Sequence, residues 1–147
     1  MTEQLRFADF RAGQQFRSVG ITVTAQEIKD FAARFDPQPF HLDEAAAAAS
    51  LFGGLAASGW HTAALTMRLL VDGGAPIAGG IIGVAIDELR WPHPVRPGDT
   101  LTAHSEVLEV LPSAIRPGQG RLRVATSTLN QDGALVMRYV ATLVVRG

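Results

Sequence analysis

The chain has 147 residues, of which 47% are hydrophobic and 18% charged, with a formal net charge of −1 and no cysteine. This length suits one domain with a sizeable core, and the composition is globular rather than disordered. The low net charge and scattered Arg and Lys argue against nucleic-acid binding, and the lack of cysteine excludes disulfides and thiolate chemistry.

Targeting features are also missing from the sequence. Its apolar runs are short and interrupted, which argues against a membrane anchor. The first ten residues, MTEQLRFADF, lack the apolar core of a signal peptide. We therefore expect a cytoplasmic enzyme or binding domain that occupies residues 1–147.

The first predicted elements are a strand over 16–23 and a helix that begins after Thr24. Thr24 and Glu27 form a capping box, and Val23 and Ile28 stand where a hydrophobic staple packs. Apolar residues with helical spacing follow as far as Phe35. Pro37 disfavours helical geometry at the preceding residue, so Asp36 should lie at the end of the helix, on a turn.

Two further helices are predicted downstream. Asp43 is a suitable cap for a short helix through Ala45–Ala49, and Ser58 for a longer one over Gly59–Val71. The longer helix is apolar on most sides, which is typical of a buried helix. Its main apolar side consists of Trp60, Ala63, Ala64, Met67, Leu70 and Val71.

The rest of the chain is predicted to be strand, with turns at its Pro and Gly clusters and a tight hairpin at 130–133. The predicted strands are Ile81–Trp91, Thr100–Leu111, Arg121–Leu129 and Leu135–Val145. A strand, then helices, then an antiparallel meander is an α+β pattern. A sheet curled around one long buried helix would satisfy it.

Asp36 and His41 are the first candidate functional pair. They are five positions apart, and Pro37 and Pro39 stiffen the chain between them. A carboxylate beside an imidazole can divide the two proton transfers needed to add water across a double bond. The alternative is that Asp36 caps a turn and His41 is a half-buried loop residue.

The segment FGGLAASGWHTAAL, residues 52–65, leads through glycines and small residues into the long helix. Free amides at a helix start favour negative charge, so the Gly59 amide is a candidate oxyanion donor for a thioester carbonyl. The alternative is that Gly59 only permits close packing.

Together these segments resemble a known family. ARFDPQPFHLDEAAAAAS is similar to the Asp-x-Asn-Pro-x-His stretch of the MaoC-like dehydratases and (R)-specific enoyl-CoA hydratases. FGGLAASGWHTAAL resembles the helix start that follows that stretch, and VRPGDTL, residues 95–101, resembles the family's turn into its next strand.

The resemblance implies a single hotdog domain, in which a long helix is wrapped by a curved antiparallel sheet, and a homodimer or higher homo-oligomer. It implies an acyl-CoA or acyl-carrier thioester substrate, Asp36 and His41 as the acid–base pair, and the Gly59 backbone as the oxyanion donor. Gln38 stands where the family often has Asn, and Ser58 where many members have His. Both substitutions bear on loop support and on the wall of the substrate pocket.

We therefore expect reversible hydration of 2-enoyl-CoA to (R)-3-hydroxyacyl-CoA. The alternatives are a hotdog thioesterase, which needs a carboxylate that the predicted helix Gly59–Val71 lacks, and a non-catalytic acyl-thioester binding module. A Ser58–His61–Asp36 hydrolase triad is disfavoured because no G-x-S-x-G elbow is present.

No metal-ligand spacing or nucleotide-binding glycine motif occurs, so we expect neither a metal nor a cofactor.

Overall fold

The computed structural model describes residues 3–147. A short 3-10 turn spans Phe7–Asp9, ahead of the regular elements. The helices are α1 (Ala25–Phe35), α2 (Pro39–Leu42), α3 (Glu44–Ala48) and α4 (Gly59–Gly73). The strands are β1 (Gln15–Arg17), β2 (Ile21–Thr22), β3 (Ile82–Arg90), β4 (Thr100–Pro112), β5 (Gly120–Leu129) and β6 (Leu135–Val145). This order confirms the predicted α+β class.

One antiparallel sheet organises the fold, with the strand order β1–β4–β5–β6–β3, while β2 also pairs with β4. The meander of the three long strands β4, β5 and β6 forms its centre. Strand β3 returns to pair with β6 and forms one edge of the sheet. Helix α4 contacts β4 and β6, so the long helix packs against the sheet, as expected.

The predicted capping box at the start of α1 is present. The Thr24 hydroxyl accepts a hydrogen bond from the Glu27 amide at 3.1 Å, and the Glu27 carboxylate accepts one from the Thr24 amide at 3.2 Å. Val23 and Ile28 are both fully buried, as a staple requires. These contacts fix where α1 begins, and its length then carries the chain to Asp36.

The predicted first strand is interrupted, which corrects the range 16–23. The chain pairs with β4 as β1, leaves the ladder over residues 18–20, and pairs again as β2. Buried Ser18 lies at the break, where its hydroxyl oxygen accepts a hydrogen bond from the Ala103 amide at 2.8 Å. A side chain thus takes a place that a backbone carbonyl would otherwise hold.

The buried side of α4 also differs from the prediction. His61, Thr62, Thr66 and Leu69 face the interior, whereas Trp60, Met67 and Val71 are exposed. The buried hydroxyl of Thr66 lies 2.7 Å from the Thr128 hydroxyl and donates to the Thr62 carbonyl at 2.8 Å. Because these polar groups satisfy one another, α4 can bury them and leave an apolar side uncovered.

His61 is a buried histidine on the first turns of α4. Its side chain stacks on the Phe31 ring of α1, with centroids 4.7 Å apart, and its Nδ1 atom has no hydrogen-bond partner among the described residues. Burial lowers the pKa of His61 below its ordinary value of 6.5, although Glu27 acts in the opposite direction. The folded chain therefore favours the neutral imidazole.

Acid should weaken the fold through His61. Below about pH 6.5 the unfolded chain takes up a proton at this imidazole that the folded chain resists, so stability is lost as the pH falls. His61→Phe keeps a ring beside Phe31 and removes the titration. We expect its melting temperature to fall less than that of the wild type between about pH 7 and about pH 5. Equal acid dependence in the two proteins would refute this linkage.

Candidate active site

Asp36 lies where the sequence predicted, immediately after the last residue of α1. Its amide donates to the Ala32 carbonyl at 2.8 Å, and Pro37 then prevents the helix from continuing. The Gln38 side-chain amide donates to Asp36 Oδ1 at 2.6 Å. Gln38, the departure from the family's Asn, therefore supports the carboxylate directly.

His41 is held more firmly than the predicted loop suggested. The segment DPQPF is not all loop, because Pro39 begins the short helix α2, a position that suits proline since it needs no amide donor. His41 is only 4% exposed, and its Nδ1 lies 2.6 Å from the Ala56 carbonyl oxygen. A carbonyl only accepts, so this contact requires the proton to sit on Nδ1 and leaves Nε2 facing the cleft.

The structure brings the two predicted side chains together. His41 Nε2 lies 3.4 Å from Asp36 Oδ2, and the Asp36 side chain is 18% exposed. Burial acts to raise the pKa of Asp36, but hydrogen bonds from Ser58 and Gln38 and the neighbouring His41 outweigh it and hold the pKa below its usual 3.8. The carboxylate is therefore ionised near neutral pH.

Ser58 and Gly59 begin α4 beside this pair. The Ser58 hydroxyl accepts the Trp60 amide at 3.2 Å, as a helix cap does, and it helps to lower the pKa of the neighbouring Asp36 carboxylate. The Gly59 amide occupies the first position of α4 and has no acceptor among the described residues. One carboxylate, one imidazole and one free amide thus line the same site.

Packing alone explains why residue 59 is a glycine. A Cβ atom at this position would lie 2.7 Å from the Trp91 ring, and the Trp91 indole donates to the Gly59 carbonyl at 3.0 Å. The glycine by itself is therefore no sign of an oxyanion site. Trp91, which the sequence analysis placed only at the end of a predicted strand, forms a wall of the site.

These groups share an open cleft of about 390 Å³. Its lining combines the proposed chemical groups with apolar and aromatic surface, which is typical of a small-molecule site. The lining residues are Asp36, His41, Phe52, Ala57, Gly59, Trp60, Thr62, Trp91, Pro92, His93, Pro94 and Val95. Gln38 and Ser58 are not among them, and both reach the site through Asp36.

The geometry gives less support to a hydrolase triad and to a thioesterase carboxylate on α4. The Ser58 hydroxyl engages Trp60 and Asp36, while His61 stacks on Phe31, so no hydrolase triad forms. Helix α4 extends two residues beyond the prediction and so includes Asp72, but this acid lies in the last turn, paired with Arg68 at 2.7 Å.

Within residues 3–147, no three His, Asp or Glu side chains cluster as metal ligands. None of the helices in this part of the chain has the length and apolar content of a bilayer-spanning segment.

Known proteins share both the fold and the sequence pattern. The chain is 54% identical to a MaoC-like dehydratase from Rhodospirillum rubrum, with a TM-score of 0.94 and 97% of each chain covered. It is 30% identical to the unliganded (R)-hydratase PhaJ1 from Pseudomonas aeruginosa, with a TM-score of 0.79, covering 97% of this chain and 86% of that one. These likenesses confirm the hotdog fold.

A sequence relative and a family model agree with the structural neighbours. The uncharacterized protein YdeM of Bacillus subtilis is 32% identical over 142 residues, which cover 97% of this chain and 99% of that protein. The model of the MaoC like domain matches residues 8–128, and with it the chain is established as a member of the MaoC-like domain family.

Proposed function

We propose that this protein reversibly adds water to 2-enoyl-CoA to give (R)-3-hydroxyacyl-CoA. The observation that carries the proposal is the 3.4 Å approach of His41 Nε2 to Asp36 Oδ2 in a cleft that Gly59 also lines. The similarity to (R)-hydratase PhaJ1 supports the reaction type and its stereochemistry.

The two side chains divide the proton transfers. The Asp36 carboxylate is ionised near neutral pH and can therefore accept a proton from water as the oxygen attacks C3. Because Nδ1 keeps its own proton against the Ala56 carbonyl, Nε2 gives a proton to C2 from the doubly protonated imidazolium, and the proton that Asp36 takes from water then returns to Nε2 across the 3.4 Å contact.

The Gly59 amide completes the proposed mechanism. As the water oxygen adds to C3, the electrons of the double bond move toward the thioester oxygen, which has anionic character until C2 accepts its proton, and a free amide at a helix start stabilises such charge. Ser58 and Gln38 assist by holding the Asp36 carboxylate rather than by contacting the acyl group.

Loss of either member of the pair should abolish most of the activity. We expect Asp36→Asn and His41→Ala to lower the turnover of crotonyl-CoA hydration, followed by the loss of ultraviolet absorbance, by about a hundredfold or more. Asp72→Asn is the matched control, since Asp72 is an exposed acid at the far end of α4, and it should retain wild-type turnover.

Unchanged hydration in both folded variants would refute the mechanism. Release of free thiol from acyl-CoA, measured with a thiol dye, would instead favour a thioesterase. Acyl-CoA binding with no product would favour the binding module.

We further propose a homodimer built on α4 and β3. Ile82, Val84 and Ile86 are each about half exposed, at 48%, 49% and 53%, on an edge strand that has no outer partner among the described strands. The exposed apolar residues of α4 increase the uncovered surface. An apolar unpaired edge promotes association, and a symmetric dimer covers both features at once.

Such a dimer also suggests where the acyl chain lies. Two-fold pairing of identical edge strands is antiparallel, so Trp91, after the end of one β3, would approach the start of β3 in the second copy. An apolar cavity of about 100 Å³ lies near that start, with Ile81, Gly83 and Ile86 among its lining residues. We therefore expect the acyl chain to enter the second subunit.

A charge on the β3 edge should disrupt the dimer. We expect the wild type to scatter light as a species of twice the 15.6 kDa chain mass at micromolar concentration, and Ile82→Lys to shift it toward monomer. Ile115→Lys is the control, because Ile115 is 87% exposed in the β4–β5 connection and lies away from this edge. A monomeric wild type, or equal behaviour of the two variants, would contradict the proposed interface.

A further inference from the structure

Arg96 makes an unusual set of contacts in the connection between β3 and β4. Its guanidinium donates to the Gly54 carbonyl at 2.8 Å, to the Leu55 carbonyl at 3.3 Å and to the Phe52 carbonyl. It forms no ion pair with a carboxylate in the described part of the chain. A half-buried guanidinium is thus satisfied by three carbonyls of one loop.

The same loop is held at its downstream end. The Ala57 amide donates to the Val95 carbonyl at 2.9 Å, next to Arg96 in the chain. Arg96 is itself fixed, because its amide donates to Asp99 Oδ2 at 2.9 Å, and buried Asp99 also accepts from the Gln131 side chain at 3.0 Å. The segment 52–57 is therefore anchored to residues 95–96 at both ends.

This segment contains two groups that contact His41. The Ala56 carbonyl is the acceptor for His41 Nδ1, and the Phe52 ring lies against the imidazole with a centroid separation of 5.9 Å. Arg96 holds the carbonyls of Phe52 and of Leu55, the residue before Ala56. A shift of this loop would release the contact that fixes the imidazole tautomer and would move the adjacent aromatic wall.

We propose that Arg96 is a positioning residue for His41, acting through the Ala56 carbonyl and the Phe52 ring. The expected loss of kcat in Arg96 variants rests on the proposed hydratase function. The expected change in the orientation and tautomer of the His41 imidazole does not depend on that function.

The arrangement requires arginine in particular. A guanidinium carries five N–H donors in a rigid plane, so one group can bind several carbonyls in different directions at once. A lysine places three donors on a single nitrogen and would reach only part of this set. The conservative variant Arg96→Lys should therefore retain part of the effect, and Arg96→Ala none of it.

Kinetics and NMR on the full-length protein together test the proposal. We expect Arg96→Ala to lower kcat for crotonyl-CoA hydration by about tenfold to a hundredfold with little change in KM, since misplacement of a catalytic group affects the chemical step. The buried Nδ1 proton of His41 should exchange slowly in the wild type, where its signal is assigned by its loss in His41→Ala, and should disappear or exchange faster in Arg96→Ala. Arg96→Lys should fall between the wild type and Arg96→Ala in both measurements.

Arg123→Ala is the matched control, because Arg123 is also half-buried but pairs with Glu109 at 3.5 Å on another part of the sheet. It should leave both kcat and the His41 proton unchanged. If Arg96→Ala does not fold, Arg96→Lys decides the question by the same two measurements.

The two proposals fail in different ways. A His41 proton signal that persists in the Arg96 variants, or a kcat within about twofold of wild type, overturns the positioning role. If the wild-type protein shows no hydratase activity, the proposed function fails. The NMR measurement then decides by itself whether Arg96 sets the His41 imidazole.

Discussion

The hydrogen bond between His41 Nδ1 and the Ala56 carbonyl is the contact on which the site depends. It joins residues 15 positions apart and links the short helix α2 to the segment that leads into α4. Because the carbonyl can only accept, the bond also determines which ring nitrogen faces Asp36. One contact therefore sets both the position of the imidazole and the nitrogen that faces Asp36, and any group that holds Ala56 in place acts on the imidazole.

A second constraint is electrostatic. Burial would favour a neutral Asp36, yet Ser58, Gln38 and His41 all favour the ionised form, and their combined effect prevails. The carboxylate remains charged although its side chain is only 18% exposed. Ser58 has two roles, because its hydroxyl accepts a hydrogen bond from the Trp60 amide at the start of α4 and also helps to lower the pKa of Asp36. The start of α4 and the proposed acid–base chemistry are thus built from the same atoms.

Helix α4 has polar residues on its buried face and apolar residues on its exposed face. Thr62 and Thr66 are buried because their hydroxyls find partners within the fold, whereas Trp60 and Met67 remain exposed. A hydrophobic pattern in the sequence predicts that a helix face will be buried, but it does not show whether the core or a second subunit buries it. In this chain part of the pattern assigned to the core, namely Trp60, Met67 and Val71, belongs to the face that we propose a second subunit covers.

The sequence by itself determined those features that depend on neighbouring residues. The capping box of Thr24 and Glu27, the helix end at Asp36 and the caps at Asp43 and Ser58 all appear in the structure, because each is decided within about one helical turn. Four of the strands also follow from local pattern. Tertiary structure alone decided the bond from His41 to Ala56, the packing of Trp91 on Gly59, the break at Ser18 and the carbonyls bound by Arg96. Each of these joins segments distant in sequence, whose approach is set by how the sheet and α4 pack rather than by any local preference.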